Sequence, residues 1–136
     1  MKKTWMTIVS IIIITALLTA CGAQELPEGF SEEKVINQAE YVVSLLSTKD
    51  YEGVAALFAP VMEEGLNAEG LETAIGAQID KLGAFVRVSS SRVAGGNDKT
   101  VGDYGIVVLS CDYENGKATY TISIDSNYQV CGLYMK

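Results

Sequence analysis

Between Leu82 and Phe85 the spacing of apolar residues changes from helical to alternating, and this change limits the chain to helices followed by sheet. Upstream, Val35, Ala39, Val42, Val43 and Leu46 recur at helical spacing and mark one buried face. Ser31 is placed to cap that helix, with Glu32 and Glu33 in the first turn, where the helix dipole favours anions, and Phe30 placed to staple against Val35. Asp50 can cap a second helix carrying Val54, Leu57 and Phe58, which Pro60 should stop or bend. Leu71, Ile75, Ile79 and Leu82 form a third stripe, closed by Gly83. Downstream, residues 85–93, 101–113, 117–125 and 128–135 are rich in Val, Ile, Tyr and Thr and are separated by Gly, Asn and Asp, which predicts four strands. Asn115–Gly116 suits a type I′ turn and Ser126–Asn127 a second tight turn, so the last three strands should form an antiparallel meander. Ala118, Tyr120, Ile122 and Ile124 alternate with Thr119, Thr121, Ser123 and Asp125, as in a sheet covered by helices on one side. The glycine-bearing segment 94–100 is the expected mobile loop. The expected class is therefore α+β: three N-terminal helices packed on a curved four-stranded antiparallel sheet.

Ahead of this domain stands a leader. Lys2 and Lys3, an apolar run through Ile11 to Ile14 and small residues before Cys21 are the three parts of an export signal. The run from Trp5 to Leu18 is interrupted by Thr7, Ser10 and Thr15, and it is short for the roughly 20 apolar residues of a membrane span. Leu18, Thr19, Ala20 and Cys21 resemble the lipobox of bacterial lipoproteins, which implies cleavage before Cys21 and diacylglycerol on its sulfur. The expected organisation is a lipoprotein signal peptide at 1–20, a lipidated cysteine and short tether at 21–30, and one domain at 31–136. Its expected location is the outer face of the cytoplasmic membrane, held there by the lipid anchor.

Helices first and a curved meander second is the order of nuclear transport factor 2-like proteins. Leu71 to Leu82 followed by Gly83 and Phe85 resembles their third helix entering the sheet, and Val130, Gly132, Leu133 and Tyr134 resemble a common closing strand. Within that superfamily the chain resembles domain of unknown function 3887, over roughly residues 31–136. The resemblance implies a cone-shaped fold and favours a pocket, and it brings no catalytic residue to carry over.

Charge and composition narrow the chemistry. After the leader, 8 basic residues face 17 acidic ones, so nucleic acid is not an expected partner. The chain has no histidine, which removes Ser-His-Asp and Cys-His catalysis and every histidine metal site; no metal or other cofactor is expected. Under the tight turns above, Cys111 and Cys131 share a sheet face two strands apart, roughly 10 Å or more, which is too far for a disulfide. Asp103 has the parity of Val107 and Leu109 and is the candidate internal acid, unless Gly102 and Gly105 host a bulge that turns it outward. Tyr41, Phe58, Phe85 and Tyr120 are the candidate cone-lining, ligand-binding residues.

Three functions stay open on these grounds. The first is a non-catalytic module for a small apolar ligand or an envelope protein. The second is an isomerase-like enzyme with Asp103 as base and Tyr104 or Tyr120 as hydrogen-bond donor. The third is a structural domain self-associating as a homodimer through an outer sheet stripe of Ile106, Val108 and Val130.

Overall fold

The computed structural model describes residues 24–136; the leader and Cys21 lie outside the described residues. Ser31 opens helix α1 (Glu32–Ser47) with extended backbone, its hydroxyl accepting from the Lys34 amide at 3.3 Å. The α1 stripe Val35, Ala39, Val42, Val43 and Leu46 is fully buried against the sheet. Asp50 caps α2 (Tyr51–Ala55) through the Gly53 amide at 3.0 Å.

The second helix is shorter than its sequence suggests. Phe58 leaves the helical path to bridge Val130, with Ala59 N–H donating to Val130 C=O and Val130 N–H donating to Leu57 C=O, each at 2.8 Å. Pro60 then starts a separate turn, α3 (Pro60–Glu63), where its missing N–H costs nothing. The third stripe runs as α4 (Ala68–Leu71), a π-helical turn (Glu72–Gly76) and α5 (Ala77–Leu82). Gly83 ends it at φ 76°, ψ −150°, a backbone that side-chain-bearing residues rarely adopt. Against the three helices that the stripes predict, the described residues form five α-helical segments.

The sheet is an antiparallel meander in the order β1 (Phe85–Asp98), β2 (Gly102–Tyr113), β3 (Gly116–Asp125) and β4 (Val130–Met135). Two registers differ from the expected ones. Tyr113 pairs with Gly116, so Glu114 and Asn115 make the turn, and neither has the positive φ of type I′. Tertiary bonds fix that choice: Glu114 N–H donates to Ala84 C=O and Asn115 N–H to Leu82 C=O, each at 2.8 Å. At the next hairpin Tyr128 takes a left-handed backbone (φ 59°), and Asp125 accepts from the amides of Asn127 and Gln129 at 2.9 and 3.0 Å. Asp125 is therefore buried in its turn rather than turned outward.

A register shift beside Ile124 then separates the two cysteines. Cys111 is buried on the helix side opposite Ala118, whereas Cys131 falls in the shift and lies beside Ser123 on the outer side. Both are free, and they do not share a face as the tight turns predict. The same shift puts Val130 in the core, while the moved β2–β3 turn pairs Val108 with Thr121, which pairs in turn with Tyr134 on the outer face.

The glycine segment is not a loop. Gly95 and Gly96 pair with Gly105 and Tyr104, and β1 continues to Asp98. These glycines serve close approach: a Cβ on Gly95 would stand 2.6 Å from Pro27 Cδ, and one on Gly96 2.6 Å from the Tyr104 hydroxyl. The stretch before α1 is likewise seated, with Gln24 C=O accepting from Gly95 N–H at 2.9 Å and Leu26 and Phe30 packed on the core.

Candidate functional site

Between α1 and the sheet the space is occupied by side chains. Tyr120, Phe58, Leu46, Leu109, Ile122 and Ile124 are fully buried there. Tyr120 is 0% exposed, and its hydroxyl lies 2.6 Å from that of Tyr113, which reaches Ser47 Oγ at 3.1 Å. Burial, followed by the Tyr113 hydrogen bond, holds the Tyr120 phenol far above its ordinary range, so it stays protonated. Apart from Asp125 in its turn, no charged side chain is among the buried residues of the described chain.

The candidate residues from the sequence do not converge. Phe58 and Tyr120 are core, Tyr41 is 51% exposed on α1, and Phe85 is exposed at the start of β1 with its ring edge-on to Tyr113 at 5.5 Å. None of the four lines the clefts described below. Asp103 keeps the inward parity but is exposed, its carboxylate accepting from Asn97 Nδ2 at 2.7 Å. It sits next to the β1–β2 turn, with no register shift beside it, so strand position rather than a bulge leaves it in solvent.

Two adjoining clefts open outside the core. One, of about 320 Å³, is lined by Val61, Val101, Tyr104, Ser123 and Cys131, with Asp98 and Thr100 at the β1–β2 turn. The other, of about 340 Å³, shares Val61, Thr100 and Val101 and adds Ala59, Pro60, Glu64 and Asp125. Each reaches the size range of small-ligand sites, and their shared wall is the apolar pair Val61 and Val101. The sequence carries no signal for this wall, because Val61 belongs to no apolar stripe and Val101 reads as the first residue of a strand, whereas it lies in the turn before β2. A third depression of about 400 Å³ beside Tyr51 is acidic, with Asp50, Glu52, Glu69 and Glu72. Among the described residues no group of three or more Asp, Glu or Cys side chains is placed to hold a metal ion.

The cysteines are held as thiols. Burial first, and nearby Asp112 second, pushes the Cys111 thiol up to about 11; burial and Asp125 push Cys131 up to about 11. The unfolded thiols ionise near 8.5, so the native state binds protons more tightly than the unfolded one across that interval. Stability contributed by the neutral thiols is thus complete below about pH 8.5 and is lost as pH rises toward 11. Urea unfolding at stepped pH should show a midpoint falling over that window, and replacing both cysteines by Ser should flatten the fall. A midpoint that rises or stays level there contradicts the burial of the thiols.

No curated protein sequence matches the chain. Among solved structures it is similar to an NMR structure of a protein from Ruminococcus gnavus ATCC 29149, with 26% identity and a TM-score of 0.71. That match covers 83% of this chain and 97% of the other, so nearly all of the second protein has the same fold as this one. Residues 39–133, from the middle of α1 to β4, match the family described as protein of unknown function (DUF3887). With most of the α+β domain inside that match, the chain belongs to the DUF3887 family.

Proposed function

We propose that the chain is a bacterial lipoprotein precursor whose mature form begins at lipidated Cys21 on the outer face of the cytoplasmic membrane. Its domain is a nuclear transport factor 2-like fold used as a non-catalytic binding module for a small apolar ligand or an apolar segment of an envelope protein. The filled interior, with Tyr120 and Phe58 between helix and sheet, counts against a ligand inside the cone as well as against an enzyme there; the observation that carries the binding reading is the pair of open Val61–Val101 clefts outside it. An interior enzyme site needs a sheltered base, and Asp103 stands in solvent. The leader and lipobox support the anchor, since two or three acyl chains hold a protein stably where one chain is marginal.

Mass spectrometry of the protein extracted from membranes tests the anchor. The expected N-terminal peptide begins at Cys21 and carries diacylglycerol; a mature N-terminus at any other residue contradicts the proposal. One observation favours a second reading, self-association through the sheet, because Val108, Thr121 and the 63% exposed Tyr134 form a stripe that the helices leave uncovered. Sedimentation of residues 24–136 as a dimer that Tyr134→Glu dissociates would select it.

A further inference from the structure

We propose that the anchored domain rests its β1–β2 turn end against the headgroups of the outer leaflet, which turns the Val61–Val101 cleft toward the lipid surface. This rests on the lipoprotein reading above and adds an orientation to it.

Little of the tether is free. Gln24 is bonded to the edge of β1 at Gly95, and Leu26 lies so close to Gly105 that a Cβ there would stand 2.8 Å from Leu26 Cδ1. Gly95 is needed for this seat, because a Cβ there would run into the Glu25 carbonyl and Pro27, whereas at Gly105 it would meet the end of the Leu26 side chain. From Cys21 to Gln24 the chain makes three peptide steps, a reach of at most about 11 Å. The acyl chains must therefore enter the bilayer close to Gly95.

Gly95 is close to one end of the domain. Asp98, the last residue of β1, is three residues further on, roughly 10 Å away. The opposite end, at Glu114 and Asn115, is separated from the β1–β2 turn by the whole of β2, roughly 40 Å. A tether of this reach holds the near end at the membrane and leaves the far end in solution. The near end carries Lys99 against Glu25, Asp98 and Asp103, a net acidic set that anionic lipid repels, so the short tether and not charge attraction holds this end at the surface. Asp98 and Thr100 also line the first cleft, which places it at this end of the domain. An apolar occupant already partitioned into the leaflet could then reach Val61 and Val101 without crossing water.

Photocrosslinking in native membranes tests the orientation. The full-length precursor is expressed with p-benzoylphenylalanine in place of Lys99 or of Asn115, irradiated, and scored for lipid adducts by mass spectrometry. The expected yield is severalfold higher at position 99. Inserting a flexible segment of about 20 Gly and Ser residues after Gly22, which adds a mean reach of about 25 Å, should bring the two yields together. Equal yields in the native chain, or a ratio that the insertion leaves unchanged, overturn the orientation. The N-terminal mass from the same samples separates the two readings: lipidated Cys21 with equal yields overturns the orientation alone, and unlipidated protein overturns the anchor and the orientation with it.

Discussion

Tyr120→Ala should lower the unfolding free energy of the domain by about 3–5 kcal/mol, the cost of deleting a fully buried aromatic ring and leaving a cavity. The ring is 0% exposed in the middle of β3, facing α1, with Leu109 opposite on β2 and Met135 on β4. Domains of this size hold about 5–15 kcal/mol in total, so the variant should lose between about a fifth and all of its stability. Tyr120→Phe separates the ring from its hydroxyl. It leaves the Tyr113 hydroxyl its Ser47 partner, and should cost about 1 kcal/mol. Urea unfolding followed by circular dichroism measures both. If Tyr120→Ala costs no more than Tyr120→Phe, the ring borders open space rather than a packed core.

Truncation at the start of α1 should also be costly. Residues 31–136 contain every helix and strand of the described residues, yet Leu26 and Phe30 pack on the core, and Phe30 lies 6.1 Å from the Tyr128 ring. Removing both should cost about 2–3 kcal/mol, since each loses part of a burial worth about 1.5–3 kcal/mol. It also unpairs the Gly95 amide from Gln24 at the edge of the sheet. A fragment of residues 24–136 should keep full stability, and one of residues 31–136 should melt about 10 °C lower. Equal melting temperatures would show that the segment is a free tether, and the short reach to Cys21 would no longer hold.

The long elements are legible in the sequence because one strong rule governs each. Ser31 with Glu32 and Glu33 marks the start of α1, and an unbroken stripe to Leu46 marks its buried face. In β3 the alternation from Ala118 to Ile124 matches the buried face residue by residue. What the sequence hides depends on contacts between distant segments. Asn115–Gly116 has the composition of a type I′ turn, but bonds from Glu114 and Asn115 to Ala84 and Leu82 move the turn back by one residue. Gly95 and Gly96 look flexible in isolation, whereas Pro27 and Tyr104 press on them from elsewhere in the chain. Asp103 has the correct parity for an inward acid, yet parity does not say how far the covering layer extends along a strand. The clefts are illegible for a related reason, since α3 and the β1–β2 turn meet only in the folded chain.

Tyr120, Phe58, Leu46 and Leu109 fill the interior, and the proposed binding outside it depends on that filling. Methyl NMR of residues 24–136 under xenon pressure tests it most directly, because xenon enters dry apolar cavities. With the interior filled, the methyls of Val42, Leu46, Leu109 and Ile122 should show no saturable shift. Saturable shifts at the interior methyls would reveal an open cone and contradict it.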